Sequence, residues 1–200
     1  MGAAMMQLRS VESRETEQGF SMIEVVIAMA IVTIGLVALV AVFGVAVSAT
    51  KSAQEDLIAK QKALEAMESV FTARNTQQIT FSQIANISSG GIFTDGLTPL
   101  LGAGPDGLVG TGDDVPVPGC PGGVECLTLP GPDGILGTED DTQMSLANFS
   151  RKIQINTVLE PDGVTINPNL RQITITVQYT KAGLPAPRVY TATSLISTYR

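Results

Sequence analysis

Histidine and tryptophan are missing from this chain of 200 residues. Without histidine there is no Ser-His-Asp or Cys-His catalytic arrangement, no His-ligated zinc, and none of the imidazole that most acid–base sites use. Basic residues are scarce too: 12 Lys and Arg stand against 19 Asp and Glu, for a net charge of -7. They form no stripe, so the electrostatic footprint of nucleic-acid binding is missing. Cysteine occurs only at Cys120 and Cys126. A zinc site needs about four ligands, and no others are at hand. A disulfide is the better reading than two free thiols, and it places the chain in an oxidising compartment. Closing so short a loop is worth roughly 2–2.5 kcal/mol in the chain-entropy picture. Two further absences are local. No charged residue occurs in residues 25–50, and no Lys or Arg in residues 75–150.

The first of these gaps is an apolar block. As a helix it reaches about 39 Å at 1.5 Å per residue, more than the roughly 30 Å of a bilayer core, so it can span a membrane with some tilt. It is too long for the apolar region of an ordinary secretory signal, and the polar residues before it are not strongly basic. On hydropathy alone it reads as a single-span anchor. The helical pattern continues beyond it: Leu57, Ile58, Leu64, Met67 and Phe71 recur at helical spacing, and no Pro or Gly interrupts residues 45–89. The expectation is one long helix, apolar all round in its first half and apolar on one stripe in its second. Toward the C-terminus, residues 151–159, 171–179 and 188–197 read as strands. Ile173, Ile175, Val177 and Tyr179 alternate with Thr174, Thr176 and Gln178, and a Pro161-Asp162-Gly163 turn and residues 181–187 connect the runs. An antiparallel meander follows, with its apolar face covering the helix stripe. The fold class is α+β.

Between the leader and the apolar block stands Gly19-Phe20-Ser21-Met22-Ile23-Glu24. This resembles the type IV prepilin cleavage and methylation motif. The resemblance implies that a prepilin peptidase cuts after Gly19, that the new N-terminal Phe20 is N-methylated, and that Glu24, at the fifth mature position, serves filament assembly. It also implies an inner-membrane, single-pass precursor whose C-terminal part is periplasmic or extracellular, and which later joins a pilus or pseudopilus. The residues support a role for Glu24 in their own right. It is the ionisable group at the N-terminal edge of the uncharged run, and a carboxylate inserted there costs on the order of 3 kcal/mol if left alone. Cleavage after Gly19 would create an ammonium four residues away. In the family's picture Glu24 pairs with that group on an adjacent subunit.

The second gap contains a repeat. Residues 104–114 and 131–141 agree at eight of eleven positions, as Gly-Pro-Asp-Gly-Leu-Val-Gly-Thr-Gly-Asp-Asp and Gly-Pro-Asp-Gly-Ile-Leu-Gly-Thr-Glu-Asp-Asp. So many carboxylates with no counter-charge in the interval call for neutralisation. Calcium accepts six to eight oxygens in flexible geometry, and Gly-rich turns add carbonyls to carboxylates. The candidate ligands are Asp106, Asp113 and Asp114, and Asp133, Asp140 and Asp141. The spacing is not that of an EF-hand, and a pair of solvated Asp-Gly turns is the plain alternative. Acid–base catalysis has no nucleophile or partner here, so no enzymatic activity is expected.

The chain thus divides into a leader (1–19), a transmembrane and assembly helix (20–50), its amphipathic continuation (51–85), an acidic loop region with the repeats and the disulfide (86–149), and a sheet (150–200). The expected function is a structural one: a minor pilin of a type IV pilus-like filament, with other pilin subunits, the prepilin peptidase and an inner-membrane assembly platform as partners. The alternatives are a minor pseudopilin of a type II secretion system and, from another class, a single-span calcium-binding surface protein that never polymerises.

Overall fold

A computed structural model describes residues 19–180 and 186–199. All of the leader before Gly19, and most of the connection at residues 181–187, lie outside the described residues. One helix, α1, runs Met22–Asn75. The chain divides into two units, one ending at Ser48 and the other beginning at Ala49. In the first unit every described side chain is exposed, and mean hydropathy over an 18-residue window reaches 3.0 with none of it buried. Thr33, a hydroxyl within this run, donates to the Met29 carbonyl at 2.7 Å, which satisfies it inside the helix.

In the second unit α1 buries Ile58, Ala59, Lys62, Ala63, Ala66, Met67, Val70 and Ala73. The expected stripe is therefore corrected. Ile58 and Met67 lie on it, and Phe71 packs at its margin, but Leu57 and Leu64 are 65% and 47% exposed. Alanine supplies much of the buried face, since Ala59, Ala63, Ala66 and Ala73 are all but inaccessible and belong to the core. The expected continuation to residue 85 is also too long, since α1 stops at Asn75. Gln77 takes a left-handed backbone conformation (φ 63°). Its N–H bonds the Arg74 carbonyl at 3.2 Å, while the Gln78 N–H reaches back to the Ala73 carbonyl at 2.9 Å. This is a Schellman stop, usually built on Gly; here a Gln occupies the left-handed position, so no sequence signal marked the end.

After short helical turns at Phe81–Gln83 and Ile87–Ser89 come β1 (Thr98–Pro99), β2 (Cys126–Leu129), β3 (Thr142–Ser145), β4 (Phe149–Leu159), β5 (Ile166–Tyr179) and β6 (Arg188–Ser197). β1, β4, β5 and β6 form one antiparallel sheet in that order, and β2 pairs with β3 in a separate ribbon. The α+β class and the β4–β5–β6 meander match the sequence expectation. Ile173, Ile175, Val177 and Tyr179 on β5 are buried, with Phe149, Ile153 and Ile155 from β4 and Ile196 from β6, in one core with the alanine face of α1. Burying the sheet face and the helix face removes apolar surface from water, a gain of roughly 25 cal/mol per Å². The region read as loop, 86–149, also holds β1 and the β2–β3 ribbon.

Candidate functional site

Gly19 and Phe20 precede the helix, and Phe20 is exposed. The Ser21 carbonyl accepts the first helical bonds, from the N–H of Glu24 at 3.0 Å and of Val25 at 3.2 Å. Ser21 is thus the residue at which the helix begins, and Glu24 lies in its first turn, where a carboxylate meets the positive end of the helix dipole. Phe20 and Glu24 border the same open groove along the start of the helix, with Val25, Ala28 and Met29. Among the described residues Glu24 has no ion-pair or hydrogen-bond partner. A carboxylate on an otherwise apolar, uncovered helix face, one turn from the bond between Gly19 and Phe20, can receive a cation from outside the chain.

The repeats fold as two copies of one loop. In the first, Asp106 accepts from the Leu108 N–H at 2.8 Å, Asp113 from the Thr111 hydroxyl at 2.7 Å and from the Asp106 N–H at 3.3 Å, and Asp114 from the Gly110 N–H at 2.7 Å. In the second, Asp133 accepts from Ile135 at 2.9 Å, Asp140 from Thr138 at 2.6 Å and from Asp133 at 3.3 Å, and Asp141 from Gly137 at 2.6 Å. Antiparallel pairs close both loops: Gly102 with Val115, and Leu129 with Thr142. Gly104 and Gly131 are needed because an added Cβ would fall 2.2 Å from the Asp113 carbonyl oxygen and 2.3 Å from the Asp140 carboxylate, respectively. The hydroxyl bonds from Thr111 and Thr138 hold the Asp113 and Asp140 carboxyls below their usual pKa, whereas burial raises that of Asp114.

The carboxylates therefore have a structural use: they tie amides and hydroxyls within each loop. Among the described residues no three Asp, Glu or Cys side chains converge to hold a metal ion. One oxygen is left over, since Asp141 Oδ1 is buried and accepts no hydrogen bond. Cys120 and Cys126 are joined through their sulfurs between the two copies, with Cα atoms 5.7 Å apart.

Part of the neutralisation that the acidic interval calls for comes from cations outside it, which meet Glu125. Lys62 Nζ of α1 lies 2.6 Å from Glu125 Oε2 and 2.9 Å from Glu65 Oε2. Arg151 of β4, which is 1% exposed, places Nη1 3.9 Å from Glu125 Oε1. Burial depresses the Arg151 pKa, opposed by Glu125 and Asp114. For Lys62 burial also pulls downward, but its bonds to Glu125 and Glu65 win and the pKa is raised. Lys62, Glu125 and Arg151 were not singled out from sequence. For Arg151 the available signal was its alternation with Phe149 and Ile153 on the buried face of β4.

Comparison with known proteins adds one match. Residues 15–40 carry the prokaryotic N-terminal methylation motif. No curated protein and no solved structure matches the chain. The motif spans the bond after Gly19, Phe20, Glu24 and the first turns of the exposed apolar helix, and it supports a type IV pilin-like prepilin.

Proposed function

We propose that this type IV pilin-like prepilin is a minor subunit of a pilus-like filament: a peptidase cuts after Gly19, and the start of α1 holds the mature chain in the inner membrane until it is extracted into the filament. The observation that carries the reading is the coincidence of the methylation motif with Glu24 at the head of an apolar, uncovered helix. Pairing between Glu24 and the Phe20 ammonium of a neighbour would set the stagger of subunits more than their raw affinity. A minor pseudopilin of a type II secretion system would use the same N-terminus. N-terminal sequencing of the mature protein tests the core of the proposal: the expected chain begins with methylated Phe20, and an intact leader sinks it. In a Glu24→Ala variant, processing and membrane insertion should persist while incorporation into filaments falls roughly tenfold or more, as for the loss of one partner of a desolvated pair. Incorporation at the wild-type level would refute the pairing.

A second reading concerns the loops. The unpartnered Asp141 Oδ1 is an oxygen that Ca2+ would satisfy. A thermal melt with and without chelator decides: a lower melting temperature on chelation supports the metal, and an unchanged one leaves the hydrogen bonds as the loops' own staple.

A further inference from the structure

Between β4 and β5 the register slips once. The strands pair in step as far as Thr157 and Arg171, and the next pair is Val158 with Asn167, so residues 168–170 of β5 face no partner on β4. Such a bulge breaks the ladder and re-aims the side chains beside it. A cavity of about 300 Å³ opens at this point, bordered by Ala85, Ser89, Ile155, Asn156, Thr157 and Arg171. Ala85 and Ile155 are buried and apolar, whereas Ser89, Asn156 and Thr157 are exposed and polar.

Arg171 is held in place by the chain itself. Its Nη1 donates to the Ile84 carbonyl and, at 3.5 Å, to that of Ser82, and its guanidinium carbon stands 4.8 Å from the centre of the Phe81 ring. Among the described residues Nε and Nη2 make no hydrogen bond, and no carboxylate pairs with the group. Arg151 and Arg188, by contrast, meet Glu125 and Asp56. Burial lowers the Arg171 pKa, and no acidic neighbour opposes it, in a chain whose net charge is -7. The Ser89 and Thr157 hydroxyls and the Asn156 amide nitrogen also have no partner among the described residues, while the Asn156 carbonyl oxygen accepts from Gln154 at 3.3 Å.

We propose that this cavity binds one carboxylate, held by the Arg171 guanidinium with the Ser89, Asn156 and Thr157 donors around it. The free groups are donors, or hydroxyls able to donate, so the ligand must bring acceptor oxygens. One guanidinium carries one positive charge, which a carboxylate balances and a phosphate dianion exceeds. Its planar fork also suits the two oxygens of a carboxylate. Ala85 and Ile155 suit a short aliphatic stem behind the headgroup, as an acidic side chain or a small free acid would bring. The site would serve a pilus subunit and a pseudopilin alike, and it stands or falls apart from cleavage after Gly19.

The test uses the full chain in detergent micelles, with the Arg171 Nε–Hε signal and the Ser89 and Thr157 backbone amides followed by NMR. Butyrate represents a free acid and a capped Gly-Glu-Gly peptide an acidic side chain; butyramide and the Gly-Gln-Gly peptide are their neutral counterparts. The expected result is a saturable shift with a Kd of about 1–10 mM for an acid and none for its neutral counterpart. Tighter binding of the Glu peptide identifies a protein side chain as the occupant, and tighter binding of butyrate a free acid. Arg171→Gln should weaken binding roughly tenfold or more, and Arg171→Lys, which keeps the charge without the fork, about threefold or more. Because Arg171 also ties Ile84, Asn156→Ala serves as a variant that leaves this tie intact, with binding about threefold weaker. No saturable shift, an equal response to the neutral compounds, tighter binding of inorganic phosphate, or undiminished binding in these variants would overturn the proposal.

Discussion

Asn86 bears no charge, yet it is the side chain that splices a loop onto the sheet. Its Nδ2 donates to the Ile153 carbonyl at 2.8 Å, and its Oδ1 accepts from the Ile155 N–H at 2.8 Å, so the amide behaves as a strand residue would beside β4. Both partners are buried backbone groups, and removing Asn86 would leave two of them unpaired. Asn86→Ala is expected to destabilise the protein by about 2–4 kcal/mol, measured by urea unfolding. Nothing in the sequence announces this role, because the bonded residue lies 67 positions away. Tyr179 makes a similar long-range link. Its hydroxyl donates to Asp56 Oδ1 at 2.6 Å, and Arg188 reaches the other oxygen at 2.9 Å. Burial, then the bond to Asp56, pushes the phenol from 10.0 up to about 12. The charged form is thus disfavoured in the folded chain. Stability from this group is present below pH 10, and it drains away as pH rises from 10 toward 12, where the unfolded chain releases a proton that the folded one keeps. The expected result is an alkaline fall in melting temperature across that window, and a flatter profile for Tyr179→Phe.

At the scale of elements, how much could be read depended on the size of the side chains. The three C-terminal strands were legible to within a few residues, because Ile173, Ile175, Val177 and Tyr179 alternate with Thr and Gln as a half-buried strand must. The existence of α1 was legible from its uncharged first half. Its packing face was not. Leucine draws the eye on a helical wheel, but Ala59, Ala63, Ala66 and Ala73 are the buried residues, and Leu57 and Leu64 are exposed. A face of methyl groups leaves little room for more. Ala66→Leu should cost about 1–3 kcal/mol through overpacking, read as a lower midpoint with an unchanged denaturant slope. The acidic repeat was legible as a repeat, and the residues around Gly19 and Glu24 were legible as a motif. The use of the loop carboxylates was not, since hydrogen bonds to amides and metal ligation draw on the same Asp and Gly.

At the scale of the molecule, Glu125 lies between α1 and β4 and meets a cation from each, Lys62 and Arg151. Removing its charge strands both in a buried setting, so Glu125→Gln is expected to destabilise by about 3–5 kcal/mol, seen in thermal or chemical melts. The loop copies bear on the whole in the opposite way. Each keeps its carboxylates busy with its own amides, and each begins and ends on facing residues of an antiparallel pair. Such a piece can be lifted out without tearing its host. Replacing residues 130–141 by a two-residue Asn-Gly turn should leave the β2–β3 ribbon paired and the melting temperature within a few degrees of wild type; a collapse of the fold would show the loop to be a brace. If the loop is separable in this way, it behaves as a cassette. A lineage could copy it, move it, or retune its tip while the core beneath stays as it is.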